Sequence, residues 1–347
     1  MNKKLLAIVV GAAAAMPMAT MANVTVYGRA HVSVDFLDNG AQYSETNISS
    51  NSSRLGFKAD KEVGDLTAFV QIEQEINISN SGTTDTLTTR DTFVGLRGGF
   101  GSLSVGRFDS PFKVARGPAN LFGDQVGDMR NLTRVGNARF DERTENTVQY
   151  STPNFNGLVG AIAYSHHEGS VNLDTEERDK DSTISTSVTY VAGPFDGALA
   201  YERADENTVR GERDAWRLAA GYKITPAVRL VGFYQKANYD GGTPAQQDLL
   251  SSDVYGLGAD FKVAPNTYIR GMWLNREADA DDTESNMYVV GIEHRLDSAL
   301  RLYANYAMVN NDDAVALTPW SQARTATPSG ALGERSRGLS AGLRYDF

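Results

Sequence analysis

Residues 23–36 read NVTVYGRAHVSVDF, and this stretch decides the fold. Val24, Val26, Gly28, Ala30, Val32, Val34 and Phe36 alternate without a break with Thr25, Tyr27, Arg29, His31, Ser33 and Asp35. Successive side chains of a strand point to opposite sides, so a two-residue period of this length predicts a strand with one oily and one polar face. The pattern returns in Leu55, Phe57, Ala59, in Leu66, Ala68, Val70, Ile72, and in Trp216, Leu218, Ala220, Tyr222. It closes the chain in Leu339, Ala341, Leu343, Tyr345 and Phe347. With its weaker versions, such as Leu103 to Arg107 and Tyr288 to His294, the total is sixteen strands.

What separates these strands alternates as well. Short turns such as Val63-Gly64-Asp65, Pro153 to Gly157 and Val263 to Asn266 take turns with longer polar loops, among them Leu37 to Ser53, His166 to Asp181, Asn275 to Ser285 and Met308 to Ser336. Seven short turns at one end and eight long loops at the other are what sixteen antiparallel strands give when both termini lie at the short-turn end.

The composition fits a sheet with water on one face and lipid on the other. Of the 347 residues 41% are hydrophobic, mean hydropathy is −0.35, and no internal window approaches the apolar run of about twenty that a membrane helix needs. Sixteen strands of about ten residues would place far more of the chain in sheet than soluble domains carry. A membrane β-barrel accounts for that, because lipid forbids open strand edges and only every second strand residue meets it. The fold expected is therefore all-β: a transmembrane antiparallel barrel of sixteen strands with long extracellular loops. Tyr164, Tyr190, Phe261, Tyr345 and Phe347, near strand ends, are read as interfacial aromatic girdles.

At the N-terminus Lys3 and Lys4 precede an apolar core from Leu5 to Ala15, with small residues Thr20 and Ala22 at a cleavage site, the pattern of a signal peptide over residues 1–22. Residues 23–347 are then the barrel domain, and removing two lysines and no acid takes the formal charge from −10 to −12. An exported acidic chain poor in lysine is no partner for nucleic acid. There is no cysteine and only four histidines, so thiolate zinc motifs and thiol nucleophiles are excluded, and neither a metal site nor a cofactor is expected.

One stretch breaks the alternation. Asp109 to Asp141 is much longer than a hairpin connection, and Leu121, Phe122, Val126, Met129, Leu132 and Phe140 make it apolar enough to dock on something. It is read as folding inward and narrowing a channel. Lone arginines in long loops, Arg116, Arg139 and Arg324, are read as solvated.

The opening NVTVYGR, SSRLGFKA at Ser52 to Ala59, RDTFVGLRGGFGSLSVGR from Arg90 to Arg107 and the closing GLRYDF resemble the Gram-negative general porins over the whole mature sequence. The resemblance implies a homotrimer in the outer membrane, in contact with lipid and lipopolysaccharide, with the third long loop folded into the lumen. It also implies a constriction where wall arginines face loop acids. Arg54 and Arg90 fall on two of the family's basic positions, with Arg134 as a third. Lys58 shares the polar face of Arg54, and Arg29 and Arg143 join by the same face argument. Asp124 and Asp128 are the expected loop acids; the enterobacterial Pro-Glu-Phe stretch is missing here. The function expected is passive diffusion of small hydrophilic solutes and ions, without catalysis. A solute- or ion-selective porin is the closest alternative, and an adhesin or receptor barrel the next.

Overall fold

The computed structural model describes residues 23–79, 87–171, 178–205 and 210–347. The signal-peptide expectation for residues 1–22 lies outside them. Seventeen strand segments form one sheet: β1 Asn23–Asp38, β2 Ser44–Ser50, β3 Arg54–Val63, β4 Leu66–Ile76, β5 Leu87–Gly98, β6 Gly101–Asp109, β7 Arg143–Ser151, β8 Leu158–Val171 and β9 Arg178–Ala192 make the first half. The second half is β10 Phe195–Ala204, β11 Arg213–Thr225, β12 Val228–Tyr239, β13 Ser252–Ala264, β14 Thr267–Ala278, β15 Ser285–Arg295, β16 Leu300–Asn311 and β17 Ser336–Asp346. Pairing is antiparallel throughout, and β17 returns to β1 from Arg29↔Asp346 to Asp38↔Arg337, so the sheet closes. β2 and β3 both pair with β1 and are two halves of one stave. The barrel thus has the sixteen staves expected.

The break in that stave is a β-bulge. Val32 pairs with Ser50 and Arg29 with Arg54, so residues 51–53 oppose only Ala30 and His31. Ser52 takes up the extra residue with φ +54°. An inserted residue reverses which side of the sheet the following side chains face. Above it Ile48 points outward and is 66% exposed while Ser49 is fully buried; below it the odd-numbered Leu55 and Phe57 share the outer side and Arg54 points into the lumen.

On the outside, Val24, Val26, Val34, Ile162, Leu218 and Leu257 are all more than half exposed. A face this apolar belongs in lipid rather than water. The seam is finished by Phe347: its backbone exchanges hydrogen bonds with Gly28 (2.8 and 3.0 Å), and its ring covers Gly28 so closely that an added Cβ would lie 2.3 Å from it.

Three expectations change. Several loops are shorter than the polar stretches suggested: β1 and β2 leave only residues 39–43 and the bulge 51–53 of Leu37 to Ser53, and β8 runs on through His166 and His167. The inner face is not polar everywhere. Val231, Phe233, Val254, Met272, Leu274, Met287, Val289 and Val309 point inward from β12–β16 and form the core with the inserted loop. Residues 312–335 also turn inward, with Trp320 fully buried in that same core.

Candidate functional site: a charged constriction inside the barrel

The inserted loop, residues 110–142, leaves β6 through a short helix α1 (Pro111–Val114), whose Ser110 caps Lys113 N–H and whose Pro111 costs no hydrogen bond at the first turn. Phe112, Leu121, Phe122, Val126, Met129 and Leu132 then bury themselves against the wall, at most 8% exposed. At about 25 cal/mol per Å² of apolar surface removed from water, a run of this kind outweighs extension into solvent. Polar contacts fix the line of docking. Arg217 on β11 donates to Phe112 O (2.8 Å) and to Asp141 (2.5 Å), its guanidinium 4.0 Å from the Phe112 ring. Asn305 on β16 donates to Gln125 (2.7 Å), and Gln235 on β12 to Thr133 O (2.9 Å).

Asp124 is the loop residue that reaches the arginines of β1 and β3. It sits in the left-handed region, φ +62°, which aspartate tolerates, and its N–H donates to Asp128 Oδ2 at 2.7 Å. Its carboxylate lies 2.8 Å from Arg130, 3.4 Å from Arg29 on β1 and 3.7 Å from Arg54 on β3. Burial alone would raise this carboxyl; Arg130, Arg54 and Arg29 outweigh it and hold the group well below the usual carboxylate range. On the wall, Arg90 on β5 pairs with Glu73 (2.6 Å) and Glu75 (2.7 Å), and Arg54 shares Glu73 at 3.6 Å.

The space divides into two polar cavities that have Arg116 and Asp124 in common. The one toward the long loops, about 370 Å³, is lined by seven arginines and Lys113 against five carboxylates. The one toward the short turns, about 320 Å³, is lined by six arginines against three carboxylates. Both are net cationic, in a chain whose formal charge is −10.

Of the sequence-selected residues, Arg54, Arg90, Arg134, Arg143 and Asp124 line the first cavity, and Arg29 and Asp124 the second. Arg134 stands on the loop, not the wall, between Gln322 (2.8 Å) and Glu142 (2.9 Å). Arg143 on β7 is tied to Asp91 and Asp109. Lys58 lines neither cavity; its ammonium rests 4.5 Å over the Tyr27 ring. Asp128 is fully buried, where it holds Arg130 at 2.6 Å beneath the loop.

Two arginines read as solvated are not. Arg116 is paired with Asp141 and lies where the cavities meet, and the Arg324 side chain is wholly buried against Asp35 of β1. Glu73, Arg217, Arg270, Arg301 and Arg344 were missed. For Arg217 the signal was available: it is an arginine on the inner step of the Trp216, Leu218, Ala220 alternation.

Lys113 is the other unusual group on the loop. Its amine is almost fully buried beside the first cavity, 2.8 Å from Asp109. Burial pushes its pKa down to about 8, against the pull of Asp109.

A family model described as Gram-negative porin matches residues 5–314. The major outer membrane protein P.IB of Neisseria meningitidis serogroup B is 34% identical over 310 residues, covering 85% of this chain and 89% of that one. Among solved structures, an anion-selective porin from Comamonas acidovorans aligns with a TM-score of 0.78 at 24% identity, over 94% of this chain and 100% of that one. The trimer form of OmpT from Vibrio cholerae aligns at 0.65 and 18% identity, over 94% and 99%.

Proposed function

Since the chain belongs to the Gram-negative porin family, we propose, from that premise, that its outer-membrane channel favours anions. The channel itself is a water-filled pore for passive diffusion of small hydrophilic solutes and ions, and the relatives are channel proteins. We read no reaction into it. One observation carries the preference: guanidinium groups outnumber carboxylates in both cavities, on either side of the point where Asp124 reaches the wall. Asp124 is itself held by three arginines, so it neutralises part of their field without reversing it. Salt screens the acids on the outer loops over a Debye length of about 8 Å, so they weigh less in this local field than the groups that line the cavities.

The remaining features follow the same reading. Arg29, Arg54, Arg90, Arg116 and Arg143 serve as the cationic side of the constriction and Asp124 as its acid. Exposed Tyr and Trp residues occur on β7, β8, β9, β11–β13 and β15–β17 but, among the described residues, not on β1–β6, where Val, Leu, Ile and Phe are exposed instead. Tyr and Trp mark membrane interfaces, so the bare arc suits contact with partner subunits in a homotrimer, while the rest of the outer face meets lipid and lipopolysaccharide. The mature protein begins near Asn23 after signal-peptide removal.

Single-channel conductance and reversal potential in a planar bilayer under a salt gradient test this directly. A large conductance with a reversal potential of anionic sign is expected. A cation-selective reversal potential overturns the preference, and no conductance overturns the channel reading.

A further inference from the structure

The connection 312–335 between β16 and β17 meets the inserted loop in three hydrogen bonds. Gly127 N–H donates to Pro319 O at 2.7 Å. Ser321 Oγ donates to Asn131 Oδ1 at 3.0 Å, and Arg134 Nη1 to Gln322 Oε1 at 2.8 Å. Between them Trp320 is fully buried in the cluster that holds Val126, Met129 and Leu132, with its indole N–H satisfied by Pro328 O at 2.8 Å. On the far side the same connection is fastened to the barrel. Arg324 pairs with Asp35 of β1, Thr325 N–H reaches Ser49 Oγ (3.1 Å), and Ser50 N–H reaches Thr325 Oγ1 (2.9 Å).

This clamp holds the inserted loop on the edge that the docking contacts of β11, β12 and β16 do not reach. Apolar contact is non-directional, and the hydrogen bonds from Asn305 to Gln125 and from Gln235 to Thr133 O hold the loop only on its β12–β16 side, so the edge that faces β1 and β3 needs its own directional contacts. Gly127, three residues on, is pinned from both sides: a Cβ there would lie 2.4 Å from Val289 of β15, and Pro319 closes from above. Gln322 and Ala323 also stand in the lining of the first cavity beside Arg54 and Arg90.

We propose that residues 319–325 are a second wall of the constriction, with Trp320 and Arg324 as positioning residues that set the distance between Asp124 and the arginines of β1 and β3. Pore width and selectivity then depend on two loops clamped together. This rests on the channel reading, and the experiment separates the two.

Trp320→Ala and Arg324→Ala are compared with the parent in planar bilayers, each with and without Asp124→Asn. In the parent, Asp124→Asn shifts the reversal potential. In Trp320→Ala the conductance rises by about half or more, the single level breaks into flicker, and Asp124→Asn loses most of its effect, because the carboxylate no longer faces Arg29 and Arg54. Trp320→Phe restores the single level and the coupling. The chain has no cysteine, so Asn131→Cys with Ser321→Cys gives a unique pair. Its oxidation in the Trp320→Ala background is expected to restore the single level. If Trp320→Ala does not assemble, Arg324→Gln decides by the same readouts. Variants that assemble with parental conductance, a steady level and an undiminished effect of Asp124→Asn overturn the inference. A parent that does not conduct overturns the channel reading instead.

Discussion

Asp124 on the inserted loop stands 3.7 Å from Arg54 on β3, a contact between residues seventy positions apart that brings a loop acid to the barrel wall. It exists because two local irregularities point at each other: the bulge at Ser52 turns Arg54 inward, and a left-handed backbone at Asp124 turns its carboxylate outward from the loop. Removing that carboxylate leaves Arg29, Arg54 and Arg130 without it. Asp124→Asn should therefore raise anion over cation permeability. One unit charge at a few ångströms is worth about 0.5–1 kcal/mol at water's dielectric, roughly a two- to fivefold change in the permeability ratio, read as a shift in reversal potential.

Asp128 behaves differently although it is the same residue type four positions on. It is fully buried, accepts from Arg130 and from Asp124 N–H, and lines neither cavity. Asp128→Asn leaves the buried Arg130 with Asp124 as its remaining carboxylate partner, at a cost of about 1–3 kcal/mol in the loop. The expected record is a noisy channel with several current levels. A clean selectivity shift with a quiet single level would place Asp128 in the pore instead.

The difference between these two acids was not legible in the sequence, since it rests on one φ angle and on the position of Arg130. The strands were legible wherever one face meets lipid. Outside that band the constraint ends: Ile48 stands alone among polar residues on β2, so the stretch reads as loop although it pairs with β1 over seven residues. The landing site of the inserted loop did leave a trace. β12 and β15 carry LVGF and MYVVGI, apolar on both faces, where β3 and β4 place Lys58, Glu73 and Glu75 on theirs. Arg324 left none, because its partner Asp35 is 289 residues away.

At the seam, Phe347 covers Gly28 on the lipid side and its backbone completes the β1 to β17 ladder. Phe347→Glu puts a charge where the ring lay and should lower the amount of assembled protein in the outer membrane, with unchanged conductance in the channels that form. Normal assembly with altered conductance would place this side chain on the lumen side.

Lys113 should make the channel respond to alkaline pH. Its folded pKa, about 8, lies below that of an unfolded lysine, so from about pH 8 up to the ordinary lysine value the amine is neutral in the barrel and charged in the unfolded chain. The unfolded state then binds more protons, and this group's contribution to stability rises with pH across that window. The lumen meanwhile loses one positive charge beside Asp109, Arg143 and Arg116. Anion preference should fall between pH 7 and 9 and stay flat in Lys113→Met. An equal pH response in that variant would assign the effect elsewhere.

Arg54 and Arg90 act as one group because both bind Glu73, and the strongest test of the constriction removes them together. Replacing only one leaves the other guanidinium on Glu73, so the local charge changes by a single unit. Arg54→Ala with Arg90→Ala takes away two positive charges, frees Glu73 on the wall and leaves Asp124 with Arg29 and Arg130 as its nearest partners. Each side chain also occupies the first cavity, so the pore widens as its positive field weakens. Two charges within a few ångströms of a passing ion are worth about 1–2 kcal/mol at water's dielectric, a shift toward cations of roughly five- to thirtyfold in permeability ratio, with raised conductance. Charge removal at Asp279, Asp281 and Asp282, on the β14 to β15 connection, is the matched control and should move the reversal potential far less, because salt screens those acids. If the two sets of variants shifted it equally, selectivity would come from the overall charge of the mouth and not from the constriction.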